Sequence, residues 1–133
     1  MIGAIPTPQD NDLLLQDKVT KVASYNTPAL DLGSGFTPGG LGMPACAVID
    51  VSACVRNDSD ETYSFVLTES SDNVTFTAIG LPVSVPVSGS AATLGMILAR
   101  GFLTKRYVRL ELTIAGTTPS VEFKAWLNTL FQR

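Results

Sequence analysis

The chain has 133 residues, 45% of them apolar and only 16% charged. One domain's worth of apolar-rich, charge-poor sequence excludes a disordered chain and a long charged helix. A net charge of -3, a pI near 4.7 and no basic stripe argue against a nucleic-acid partner, and the complete lack of His removes the commonest general base and metal ligand.

Residues 1–12, MIGAIPTPQDND, carry Pro6 and Pro8 and then a polar run, and read as an extended arm outside the core. They lack the basic and apolar regions of a secretion signal. No apolar run reaches the roughly 18 residues of a membrane helix. A soluble protein made in a cytoplasm, with no membrane partner, is expected.

A first strand is expected from Leu13 to Gln16. A second, from Tyr25 to Leu32, contains Pro28 and so belongs at a sheet edge. Residues 33–44, GSGFTPGGLGMP, form a long loop. Ala45 to Val55 is the clearest buried strand, with Ala47, Ile49, Val51, Ala53 and Val55 on one face and Cys46, Val48, Asp50, Ser52 and Cys54 on the other. Extended chain at about 3.3 Å per residue holds Cys46 and Cys54 about 26 Å apart, whereas a disulfide needs Cα atoms within about 7 Å. Two reduced cysteines in a reducing compartment are expected.

After the polar turn 57–61, Tyr63, Phe65 and Leu67 alternate with Ser64, Val66 and Thr68. Ser70-Ser71-Asp72-Asn73 turns the chain, and Val74, Phe76 and Ala78 return on one face, which predicts an antiparallel hairpin over 62–79. Val83 to Val87 is a short strand interrupted by Pro86. Thr93 to Phe102 is a strand or a short helix, and Gly95 and Gly101 favour the strand. The best alternation runs from Arg106 to Ile114, with Val108, Leu110, Leu112 and Ile114 inward and Tyr107, Arg109, Glu111 and Thr113 outward. Past the turn 116–119, a last strand runs from Val121 to Leu130. Short strands with turn signals at roughly 8–12-residue spacing predict an all-β fold, an antiparallel β-sandwich of Greek-key or jelly-roll type. It is one domain over 13–133, preceded by the arm 1–12.

Catalytic constellations are weak. Cys46 and Cys54 sit in apolar stretches, which raise a thiol pKa, and no His is present to activate them. A Ser–Lys dyad has no supporting motif. Asp58, Asp60 and Glu61 resemble the opening of a calcium loop but lack its later Gly and Glu and its flanking helices; a solvated turn and a weak calcium site are the two readings. Gly33-Ser34-Gly35 opens like a dinucleotide loop, yet Pro38 stands at the third glycine's place. Glu111 and Glu122, expected on neighbouring strands, could pair for glycoside hydrolysis. Arg109 and Lys124 share their outward faces, so cross-strand ion pairs are the simpler reading. No catalytic residue, cofactor or metal is assigned, and an enzyme is not expected.

The last strand is more informative. With Val121, Phe123, Ala125 and Leu127 inward, Trp126 and Leu130 face outward and Phe131 lies beside the end. A Trp with apolar neighbours on a sheet face points to a protein interface. The other reading is that the N-terminal segment or the glycine loop of the same chain covers it.

The segment from Gln16-Asp17-Lys18 through Asn26-Thr27-Pro28-Ala29-Leu30-Asp31-Leu32-Gly33, and above all Thr104-Lys105-Arg106-Tyr107-Val108-Arg109-Leu110-Glu111-Leu112-Thr113-Ile114-Ala115-Gly116, resembles small capsid cement (decoration) proteins of tailed bacteriophages, of the Bordetella-phage type. Those sequences carry N-x-I-D-L-G near the start, K-R-Y-x-R-L running to T-x-A-G late in the chain, and a final apolar strand. The resemblance spans most of residues 13–130. It departs at KVTKVASYNTPA, where the family has a small-residue, Ala-rich stretch, and at the extra arm 1–12.

The resemblance implies a jelly-roll-like sandwich on the outer face of an icosahedral head. There it bridges subunits of the major capsid protein as a homodimer, alternatively a trimer, and does no chemistry. The expected interface residues are Ile2, Ile5, Pro6 and Pro8 of the arm, Phe36 of the glycine loop, Arg106, Tyr107 and Arg109, and Trp126, Leu130 and Phe131. The arm and loop would reach the shell by strand addition. Arg106 and Arg109 would meet acidic capsid groups, or pair with Glu111 and Glu122 within the chain. The alternative is another virion, tail or adhesion module that binds carbohydrate, with Trp126, Tyr107 or Tyr63 as a stacking platform.

Overall fold

Alternating apolar residues on the long strands bury their inner faces against one another and build two antiparallel sheets. A computed structural model describes residues 13–36, 42–88 and 91–129. Its strands are β1 (Leu14–Lys21), β2 (Tyr25–Asn26), β3 (Leu30–Asp31), β4 (Met43–Cys54), β5 (Thr62–Ser70), β6 (Thr77–Ala78), β7 (Val83–Ser84), β8 (Val87–Ser88), β9 (Ala91–Ala92), β10 (Gly95–Leu103), β11 (Tyr107–Ala115) and β12 (Val121–Thr129).

The first sheet runs β1-β12-β4-β10. The second has β11 and β5 at its centre, with β2 and β3 beside β11 and β6 and β7 beside β5. If β2/β3 and β6/β7 each count as one edge strand and the β8–β9 ribbon is set aside, the sheets read 1-8-3-6 and 2-7-4-5. That order is the jelly roll, two Greek keys folded face to face. The core lies between the sheets and includes Ile49, Val51, Phe65, Leu67, Leu110, Leu112, Phe123 and Leu127.

Several expectations need correction. The first strand does not stop at Gln16 but continues to Lys21, with register shifts between Leu14 and Gln16 and between Gln16 and Val19. These bulges break the alternation that would have marked the strand. A further shift, where Glu122 pairs with Ala53 and Phe123 with Val51, reverses the parity of β4. Ala53, expected inward, is exposed, and Cys54, expected outward, packs against the core.

The returning arm of the 62–79 hairpin is much shorter than expected. Only Thr77–Ala78 pairs with β5, and Val74 is 77% exposed. Asp72 extends the turn, because its carboxylate accepts the N–H groups of Val74 and Thr75 at 2.9 and 3.0 Å. Residues 83–87 divide at Pro86 into β7, paired with β5, and β8, paired with β9. Residues 95–103 are strand, and Leu130 lies outside the described residues.

The sheet edges are blunted. β1 is bulged and exposes Asp17 and Lys18; β2, β3, β6 and β7 are two residues each. At β10 the chain at Gly80 crosses so close that a Cβ there would lie 1.9 Å from the Arg100 carbonyl oxygen.

Candidate functional site

The two outer faces differ in chemistry. On the second sheet, outward Tyr107, Arg109, Glu111 and Thr113 of β11 pair with Ser70, Thr68, Val66 and Ser64 of β5, so this face is largely polar. Arg109 donates to Glu111 at 2.9 Å and stacks on the Phe76 ring at 3.9 Å. Arg106 makes a bidentate pair with Asp31, at 2.7 and 2.9 Å, and lies 5.1 Å from the Tyr107 ring centroid. The Arg106 guanidinium, with the Gly33 N–H, holds the Asp31 carboxyl down to about 2.

Both arginines therefore have partners inside the chain. Arg109 pairs with Glu111 as one reading had it, but Arg106 pairs with Asp31, not with Glu111 or Glu122. Glu122 instead sits 3.7 Å from Lys18 and accepts from Ser52 Oγ at 2.8 Å. Glu111 and Glu122 are not on neighbouring strands, because β11 and β12 belong to different sheets. They do not form a carboxylate pair for hydrolysis.

The outer face of the first sheet carries an apolar row between polar neighbours, with Asp50 beside Lys124 on one side of it and Cys46 beside Arg100 and Asn128 on the other. Register places Leu98 of β10 beside Val48 of β4, Val48 beside Trp126 of β12, and Trp126 beside Leu14 of β1. One apolar row thus crosses all four strands. Cys46, Val48 and Trp126 cluster in it, Leu14 packs against them, and Trp126 is only 4% exposed. Trp126 faces outward as expected but is buried, packed with Cys46, Val48 and Leu14. The exposed apolar side chains of the face lie along β10, where Met96 is 56%, Leu98 36% and Phe102 49% exposed, with exposed Arg100 between Leu98 and Phe102. Sequence reasoning passed over this strip. Its signal was that β10 carries apolar residues at both parities, Met96, Leu98 and Phe102 alternating with Ile97, Ala99 and Leu103, with Arg100 its one charge.

The remaining expected interface residues scatter. Phe36 is half-buried and packs against the core. Ile2, Ile5, Pro6, Pro8, Leu130 and Phe131 lie outside the described residues. Tyr63 is buried between the sheets, Tyr107 lies on the second sheet and Trp126 on the first, so the three do not form one stacking platform. Cys46 and Cys54 are both free thiols, and burial pushes both pKa values up.

The acidic turn has a structural role. The carboxylates of Asp58, Asp60 and Glu61 converge within 4.8 Å of one another. Thr117 Oγ1 donates to Asp60 at 2.6 Å and Thr118 Oγ1 to Asp58 at 2.7 Å. Fully buried Glu61 accepts the N–H groups of Asp58 and Thr118. Gly116, at φ +120, lets the two turns meet, since a Cβ there would lie 2.5 Å from the Glu61 Cα. Tyr63 completes the staple by donating to the Val55 carbonyl and accepting the Ser120 N–H at 2.9 Å. Buried Glu69 does similar work for the β10–β11 turn, accepting from the Thr104 N–H and hydroxyl and the Lys105 N–H. Composition gave no hint of either buried glutamate.

No protein-family model matches the chain, and no curated protein matches it.

Proposed function

We propose that the protein is a capsid cement protein that binds the outer surface of an icosahedral phage head, bridges major capsid subunits and performs no catalysis. The observation that carries this reading is the set of exposed apolar side chains Met96, Leu98 and Phe102 on β10, with exposed Arg100 among them, on a jelly roll whose other outer face is largely polar. The sequence resemblance over Thr104–Gly116 supplies the partner class. Blunted edges disfavour strand addition, so the contact is made by the face. In a homodimer each copy carries one strip, and a pair of strips spans neighbouring capsid subunits. Many modest contacts over one shell sum by multivalency. A protein that binds only the assembled shell stabilises it by mass action.

The test is a double substitution, Leu98→Glu with Phe102→Glu, on the exposed strip. The variant is expected to keep its circular dichroism and melting temperature and to lose co-sedimentation with assembled shells. Undiminished pelleting of the folded variant would remove the strip from the contact.

A further inference from the structure

Arg100 is the one charge in the stretch 73–104, which otherwise holds no Asp, Glu or Lys and no second Arg. It stands on the outward face of β10 between Leu98 and Phe102, and all three are exposed. The other described arginines are engaged inside the chain: Arg56 with the Ser59 carbonyl, Arg106 with Asp31 and Arg109 with Glu111. The Arg100 side chain makes no hydrogen bond or ion pair with the described residues. Register explains why. Its cross-strand neighbour on β4 is Cys46, and the next residue of that row, on β12, is Asn128. Asp50, the only acid of β4, lies two outward positions further along, opposite Met96 and Lys124. On the other side, Ile79 and Gly80 press against Arg100 and Gly101, and exposed Leu81 follows them. The guanidinium thus stands among apolar side chains with no carboxylate in its row.

We propose that Arg100 is the polar anchor of this surface, and that it takes a carboxylate which the partner presents between apolar side chains. The inference rests on the cement reading, so the partner surface is that of the assembled capsid protein. Charge complementarity sets the chemistry of the occupant. A guanidinium is weakly hydrated and its fork matches a carboxylate through two parallel hydrogen bonds, so it suits an interface that excludes water. Met96, Leu98 and Phe102 supply the apolar surround; covered by the partner, they shut out water and leave the ion pair weakly screened. An apolar partner surface without an acid is a poor match, because it strips water from Arg100 and offers no acceptor. An acidic surface without apolar groups leaves Leu98 and Phe102 in water. Arg106 and Arg109, the residues expected to meet acidic capsid groups, already have their carboxylates within the chain. A net charge of -3 and a single Arg at this place disfavour an anionic membrane as the occupant.

The test compares the unaltered chain with Arg100→Gln, Arg100→Lys and the double Glu variant of Leu98 and Phe102, by co-sedimentation with assembled shells over a range of NaCl. Arg100 is exposed, so circular dichroism and melting temperature are expected to be unchanged in both of its variants. Arg100→Gln is expected to weaken shell binding about thirtyfold or more and to flatten its dependence on salt. Arg100→Lys is expected to bind with intermediate affinity and to keep the salt dependence. A zero-length carbodiimide is expected to join the new amine of Arg100→Lys to an Asp or Glu of the capsid protein, a cross-link absent with Arg100→Gln. If Arg100→Gln binds like the unaltered chain while the double Glu variant does not, the apolar side chains hold the shell and the anchor alone is overturned. If Arg100→Gln binds normally but aggregates when free, Arg100 is a solubilising charge on an apolar strand, and the proposal falls. Binding to anionic phospholipid vesicles that Arg100→Gln abolishes, with shell binding untouched, would give the site to a lipid phosphate and overturn the carboxylate. If the unaltered chain itself leaves shells bare, the cement reading fails and this partner with it.

Discussion

Phe65 of the second sheet and Phe123 of the first meet edge to face across the core, with ring centroids 5.2 Å apart and planes at 69°. Both are fully buried, so either Phe→Ala change is expected to cost about 3–5 kcal/mol. A double-mutant cycle should leave a coupling of about 0.5–1.5 kcal/mol for the ring pair itself. Urea unfolding of the four proteins measures both quantities, and strict additivity would show that the rings act only through separate burial.

Gly116 and Glu61 make a second, polar lock. Gly116→Ala puts a Cβ against the Glu61 backbone at a φ that L residues rarely adopt, and should destabilise by more than about 1 kcal/mol. Glu61→Ala leaves the Asp58 and Thr118 N–H groups without their acceptor and should cost about 2–3 kcal/mol. Thermal melts of both variants check these losses. Calcium should not rescue either one, since hydroxyl and amide donors already occupy the carboxylates.

Acid should expose two further contacts. The Asp31 carboxyl is held at about 2 by Arg106 and the Gly33 N–H, and Asp72 is lowered to about 2 by the Thr75 and Val74 N–H groups and the Ser70 hydroxyl. Both folded values lie below the usual 3.8, so the folded state binds protons more weakly than the unfolded chain. Their contribution is present in full above about pH 4 and is lost as the pH falls towards about 2. Asp31→Asn with Asp72→Asn should therefore flatten the stability–pH curve in that window and leave its shape near neutrality unchanged. Denaturant titrations across the pH series check this.

Gly80 guards the β10 edge. A Cβ at this position would overlap the Arg100 carbonyl oxygen, so Gly80→Ala must push the 79–80 segment away from the strand. The expected result is a lower melting temperature together with aggregation seen by light scattering, because an uncovered edge invites pairing between chains.

The sequence made some of this visible and hid the rest for physical reasons. Tyr63, Phe65 and Leu67 and the run Val108, Leu110, Leu112 alternate because β5 and β11 are long and regular with one face buried, so their strands and inward faces were legible. An antiparallel sandwich of Greek-key or jelly-roll type followed from strand number and turn spacing, and the strand order made it the jelly roll. Bulges spoiled the local signal at Gln16 and Ser52, which shortened the expected β1 and reversed Ala53 and Cys54. Adjacency in sequence misled the reading of Glu111 and Glu122, because the chain changes sheets at 116–120. Trp126 was recognisable as outward, but its row emerges only when Leu98, Val48 and Leu14 come together from three other strands.

The most direct test of the cement reading is saturation binding to assembled shells of the major capsid protein encoded with this chain, measured by co-sedimentation beside the same capsid protein left unassembled. The account predicts saturation at a fixed ratio per capsid subunit on shells, little binding to unassembled subunits, and shells that resist heat better when decorated. A chain that stays in the supernatant at every concentration, or binds free subunits as well as shells without stabilising them, would contradict it.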